Sequence, residues 1–191
     1  LTAEIIYTPP EGESAIRDKL ANWEKYLHES TEIEPLVRMA VTHYQFEAIH
    51  PFIDGNGRTG RILNLLFLVQ QGLLDLPVLY LSLFILKNKT AYYNLLHGVT
   101  ADGAWEPWIL YMLEAVKVTA MWTTEKIQAI KLLLDNTAKL FRDADPRIYS
   151  RELTELIFTQ PYCRISTLVD NGIAARHAAS NYLNRMVELG I

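Results

Sequence analysis

The sequence predicts an all-α fold, and three observations carry that prediction. Apolar residues recur at helical spacing in one segment after another. The one β-prone run, AEIIYTPP at residues 3–10, is closed by Pro9 and Pro10, which continue neither a helix nor a central strand. Half of the 191 residues are hydrophobic, enough to fill a core and too many for a disordered chain.

After the opening run, SAIRDKLANWEKYLHES reads as a helix with Ser14 at its N-cap. TEIEPLVRMAVTHYQFEAIH reads as the next. Ile33, Leu36, Val37, Ala40, Tyr44 and Ile49 share its buried face, and His50 falls at its C-terminal end. Beyond a Gly-rich turn, RILNLLFLVQQG is apolar almost all round, as a central bundle helix would be, and Gly72 suits its stop. NKTAYYNLLHGV and EPWILYMLEAVKVTAMW predict two more helices, the latter with Pro107 in its first turn. TEKIQAIKLLLDNTAKLFRDAD keeps the period through Ile127, Ile130, Leu133, Leu134 and Phe141, and reads as a separate connecting helix.

RDADPR then marks the domain boundary, so the expected organisation is a core at 1–123, a connecting helix and linker at 124–145, and a tail domain at 146–191. In the tail, RELTELIF, RISTLVDNG and AARHAASNYLNRMVELG give three short helices with a turn at Gly172 before the third, the spacing of a helix-turn-helix. Ala175, Ala179, Leu183, Met186 and Leu189 are expected to face inward from the third helix. Arg176, His177, Ser180, Asn181, Asn184 and Arg185 are expected to face out.

Composition narrows the function classes. A net charge of −4 excludes a whole-surface attraction to phosphate backbones or anionic lipid, while leaving local patches open. From Arg142 to Ile191, six basic residues are matched by six acids, a poor balance for phosphate contact, although Asn and Arg on the tail's third helix are the types that read base edges. DNA binding and a docking or dimerisation role are both carried forward for it. The most apolar stretch, LPVLYLSLFIL, has eleven residues and a proline, well short of the roughly 20 a bilayer needs, so no membrane is expected as a partner. Cys163 is the only cysteine, which leaves no disulfide within the chain and makes a reducing, cytoplasmic location the expectation. Cys163 itself reads as a small hydrophobe. The chain opens on Leu1 and stops at ELGI, as an excerpt would.

The chemistry concentrates in HPFIDGNGRTGR, from His50 to Arg61, between two apolar helices. Gly55 and Gly57 allow successive N–H groups to converge on one point, and those amides sit at a helix N-terminus, where unsatisfied donors and the dipole favour an anion. Arg58 and Arg61 are three apart, hence on one side of the first turn, and each can fork onto phosphate oxygens. Asp54 conflicts with an anion site unless a cation intervenes, and Mg²⁺ shared between one carboxylate and phosphate oxygens resolves the conflict. His50 at the rim has the side chain suited to taking a proton from a hydroxyl near neutral pH. A triphosphate, a metal and a base imply phosphoryl or nucleotidyl transfer. A Walker loop is excluded because no strand precedes and no Gly-Lys-Ser/Thr follows. A dinucleotide fingerprint is excluded because GNGRTG follows a helix.

HPFIDGNGRTGR resembles the Fic family signature HPFx(D/E)GNGRxxR at every specified position. The resemblance implies a Fic-type helical bundle with a β-hairpin flap, and a tail similar to the winged-helix-like domain fused to some relatives. It implies transfer of AMP from ATP to a Ser, Thr or Tyr hydroxyl of a target protein, with Mg²⁺ as cofactor. His50 then resembles the base, Asp54 the metal ligand and Gly55, Asn56 and Gly57 the anion nest. Arg58 resembles a phosphate contact and Arg61 the γ-phosphate ligand, with Thr59 and Gly60 in the same nucleotide-binding stretch. Ile5, Ile6 and Tyr7 fall where the flap positions a target segment, and Tyr92 and Tyr93 where relatives flank the adenosine.

Gly57 stands where some phosphorylating relatives carry lysine, which favours adenylylation over a Fic-type phosphotransferase. A nucleotide-sensing DNA-binding regulator is the other alternative, disfavoured because nucleotide binding alone needs no base. Self-modification and a homodimer are compatible partners. The restraining (S/T)xxxE(G/N) helix of relatives finds no match, because Ser30 and Glu34 have its spacing but Pro35 follows.

Overall fold

The computed structural model describes residues 7–191. Among them it contains nine α-helices and no strand. These are α1 (Glu13–Glu29), α2 (Pro35–Ile49), α3 (Asn56–Gln70), α4 (Leu81–Lys87), α5 (Lys89–Asp102), α6 (Trp105–Ala144), α7 (Arg151–Ile157), α8 (Ile165–Asp170) and α9 (Arg176–Glu188). Ile5 and Ile6, with most of the expected hairpin, lie outside the described residues. The described residues form two compact units that divide between Thr123 and Thr124, and α6 contributes to each.

Several helix bounds differ from expectation for local reasons. Gly12, with φ 93°, leads into α1, so Ser14 lies inside the helix and caps nothing. α2 starts at Pro35 rather than near Thr31. The Glu34 side chain accepts from Leu36 N and Val37 N, and proline suits a first helical position. α3 starts two residues before Arg58, at Asn56. The two helices expected over 106–122 and 124–145 are one, α6, because no glycine or proline falls between Trp108 and Asp145 to break it.

In the first unit α2 packs against both α1 and α3. Met39, Ala40, Leu68, Leu81, Trp108 and Met112 are nearly or wholly inaccessible and centre its core. Trp108 ties α6 to α2, since its Nε1–H donates to Ala40 O at 2.8 Å. In the second unit Phe141, Leu153, Leu168, Ala179 and Met186 form a separate core. There the expected facing of α9 needs correction. Ala175 is exposed because it is the N-cap, outside the helix, and Ala174 and Tyr182 pack on the core instead. Ser180 is half-buried, as is Arg185, whose guanidinium reaches Asp145 at 3.3 Å and Glu188 at 2.9 Å. Among the described residues no helix is long and apolar enough to cross a membrane.

Candidate active site

The site is built where α2 stops and α3 begins. His50 adopts φ 50° and ψ 55°, so the chain leaves α2 in a left-handed turn. It is the one non-glycine residue with positive φ among those described, a conformation that costs an L-residue roughly 1 kcal/mol or more. Its Nδ1 lies 3.3 Å from Glu47 O. A carbonyl only accepts, so this contact puts the proton on Nδ1 and leaves the Nε2 lone pair free.

Asn56 closes the loop that follows. Its side chain accepts from Phe52 N at 2.9 Å and donates to Phe52 O at 2.6 Å, and the residue is 2% exposed. Asn56 is the first residue of α3. Gly55, with φ 89°, takes the left-handed position before it. The side chain of Asn56 is thus spent inside the loop, and what faces outward is main chain. Asn56, Gly57 and Arg58 hold the first helical positions, whose N–H groups have no intrahelical acceptor. The first helical bond runs from Thr59 N to Gly55 O.

Asp54 lies across the loop end, accepting from Gly55 N through Oδ1 at 2.6 Å and from Arg58 Nη2 through Oδ2 at 3.1 Å. Both side chains are largely exposed, so this ion pair is weak and exchangeable. Arg61 is held differently: Nε donates to Ser82 Oγ on α4 at 2.8 Å. A pocket of about 360 Å³ opens between these groups. His50, Asp54, Gly55, Asn56, Gly57, Arg58, Arg61, Tyr92 and Tyr93 all line it, whereas Thr59 and Gly60 do not.

Gly60 has a packing task. A Cβ there would lie 2.9 Å from Glu47 Oε1 and 3.1 Å from His43 Cε1. Its absence lets α3 close on α2 over a polar stripe formed by His43, Glu47 and His50, spaced to share one helix face. His43 is buried, with Nε2 2.9 Å from the Tyr92 hydroxyl and its ring stacked on Trp108. Burial, then the Arg61 charge, push the imidazole down to about 4, which keeps it neutral. Burial raises the Glu47 carboxyl, while Arg61 and His50 oppose that rise. Oε1 of Glu47 and Nδ1 of His43 are buried without hydrogen-bond partners.

Tyr92 is 4% exposed and its hydroxyl is engaged by His43, so it offers the pocket only part of its ring. Tyr93 is 56% exposed, packs edge-on against Tyr92 and carries Lys89 Nζ 5.8 Å above its ring. Tyr7 borders a different cavity of about 570 Å³ beside α1 and α2, and its hydroxyl donates to Ala48 O at 2.6 Å. Among the described residues no cluster of three or more His, Cys, Asp or Glu side chains could hold a metal by itself.

Glu47, Ser82 and Lys89 were missed in the sequence. Glu47 precedes His50 by one helical turn, a spacing that could have flagged it. Ser82 and Lys89 lie 21 and 28 residues beyond Arg61 and carry no local signal.

Comparison with known proteins assigns the class first. Residues 2–68 match the Fic/DOC family. Residues 133–191 match the C-terminal domain of SoFic-like protein adenylyltransferase. The chain therefore carries a Fic/DOC domain followed by a SoFic-like C-terminal domain. Protein adenylyltransferase Fic of Drosophila virilis is 28% identical over 147 residues, covering 73% of this chain and 29% of that protein. The Drosophila melanogaster protein of the same name is 28% identical over 136 residues, 69% of this chain and 26% of its own length. Protein adenylyltransferase fic-1 of Caenorhabditis briggsae is 32% identical over 110 residues, 56% of this chain and 20% of its own length. The chain thus spans less than a third of each of these relatives.

Proposed function

We propose that this chain transfers AMP from ATP to a Ser, Thr or Tyr hydroxyl of a target protein and releases pyrophosphate. One observation carries the reading: a single pocket brings His50, the open first turn of α3, Arg58 and Arg61 together. Amides at a helix N-terminus and two guanidinium groups suit a polyphosphate. The free Nε2 of His50 suits proton removal from an incoming hydroxyl.

In this reading the target oxygen attacks the α-phosphorus as Nε2 of His50 takes its proton. The bond from the α-phosphorus to the bridging oxygen breaks, and pyrophosphate leaves with that oxygen. The amides of Asn56, Gly57 and Arg58 hold phosphate oxygens, and Arg61 holds the terminal phosphate. Asp54 fits Mg²⁺, since its carboxylate is 89% exposed at the pocket rim and this ion commonly takes one protein carboxylate with phosphate oxygens. When bound, the ion would neutralise phosphate charge.

Tyr93, exposed beside Lys89, is the better placed of the two tyrosines to stack on a base. Tyr7, with Ile5 and Ile6, is assigned to the target segment. For the SoFic-like domain we favour docking over DNA binding, because from Arg142 onward six basic residues are matched by six acids, a poor balance for phosphate contact. A gel-shift titration with genomic fragments that shows retention at low salt would reverse that choice.

ATP labelled at the α or the γ phosphate tests the reaction. Label carried onto protein from the α position alone is the expected result. Label from the γ position alone would mean phosphorylation, and label from neither would leave a nucleotide sensor. His50→Ala is expected to slow transfer by about 100-fold or more while nucleotide binding persists.

A further inference from the structure

Arg61 leaves α3 on its second turn and leans back over the first, the direction helical side chains favour. Its guanidinium has two different neighbours. Nε donates to Ser82 Oγ at 2.8 Å. Nη1 lies over Gly57, where a Cβ would meet it at 3.1 Å and would meet Glu47 Oε1 at 3.7 Å. That carboxylate oxygen is buried and has no partner. An acceptor with spare capacity therefore sits beside the guanidinium without engaging it.

We propose that Ser82 is a positioning residue whose hydroxyl holds Arg61 toward the pocket and keeps it from pairing with Glu47. Its backbone is well anchored, since Leu81 and Ile85 of the same helix are 2% and 3% exposed. A bond through Nε leaves the two terminal nitrogens for a ligand, whereas pairing with a carboxylate uses the fork that grips phosphate. A buried acceptor that lacks a donor is stabilised by gaining one. Loss of the serine hydroxyl therefore tips Arg61 toward Glu47. The two charges already interact, because Arg61 opposes the rise that burial imposes on the Glu47 carboxyl.

The inference rests on the reading of Arg61 as ligand of the terminal phosphate, and the experiment separates the two. Affinities for ATP and ADP are measured by titration calorimetry with Mg²⁺ present, on the whole chain and its variants. Ser82→Ala is expected to weaken ATP roughly tenfold, the weight of one hydrogen bond to a charged group. ADP, which lacks the terminal phosphate, is expected to bind Ser82→Ala as it binds the unsubstituted chain. Ser82→Cys, close in volume but a weak acceptor, should behave like Ser82→Ala and serves should the alanine variant not fold. Ser82→Thr should hold ATP within roughly twofold of the unsubstituted chain, because the hydroxyl is kept. Adding Glu47→Gln to Ser82→Ala should recover most of the lost ATP affinity. A Ser82→Ala chain that binds ATP normally, that loses ATP and ADP alike, or that Glu47→Gln does not rescue overturns the inference. An Arg61→Ala chain that binds ATP normally overturns the phosphate reading itself, whatever Ser82 does.

Discussion

His43 and Glu47 both pack against Gly60 of α3, and their protons respond to folding in opposite senses. Unfolded, the His43 imidazole takes a proton below about 6.5; folded, it resists one until about 4. Between those values the unfolded chain binds more protons, so stability falls as pH falls, by up to about 1.4 kcal/mol per pH unit. Glu47 works the other way. Its raised carboxyl binds a proton that the unfolded chain releases, so its contribution grows as pH falls through the folded value. His43→Gln should therefore flatten the acid-side loss of the melting temperature between pH 6.5 and pH 4; an unchanged slope would show that another group carries it. At this scale the sequence was most legible where chemistry is contiguous. His50, Asp54 and the two arginines announce themselves within twelve residues. His43 did not, because its meaning comes from Tyr92 and Trp108, brought to it from α5 and α6.

Elements meet at the α2–α3 approach, where a missing side chain matters most. Gly60→Ala would gain roughly 1 kcal/mol of helix propensity. Against that, the new methyl would press on Glu47 Oε1, which can yield, and on the His43 ring, which stacking on Trp108 holds in place. A net loss of about 1–2 kcal/mol is expected, read as a lower urea midpoint. Asn56→Ala strands the N–H and C=O of Phe52, which now close the loop. A loss of about 1–3 kcal/mol is expected, with weaker ATP binding because the first turn of α3 loses its brace. Helix existence was legible from periodicity everywhere but α4, whose seven residues are too few to show a clear period. Helix starts were less so, since they depend on caps such as Glu34 and on φ angles such as that of Gly12. The break expected before Thr124 is absent because no glycine or proline there opposes the helix.

Across the whole molecule two cores are built from different residues, and none of the second core lines the pocket at the start of α3. Leu153→Ala, at a fully inaccessible position, should cost about 2–5 kcal/mol and lower the melting temperature. ATP affinity measured below that transition should stay unchanged, because the second core shares no residue with that pocket. Coupled loss of both would show that the two units fold as one. The turn at Gly172 and the inward Ala179 and Met186 were readable from spacing. The exposure of Ala175 was not, since an N-cap and a first helical residue look alike in sequence.

The backbone at residue 50 also sets robustness against reactivity. Imidazole is placed at the pocket mouth by a conformation that glycine would adopt without strain. Exchange to glycine should therefore yield an inert protein that withstands more denaturant than its equally inert alanine counterpart. In the proposed reading, a histidine held in that conformation gives up robustness to put a base where a hydroxyl arrives.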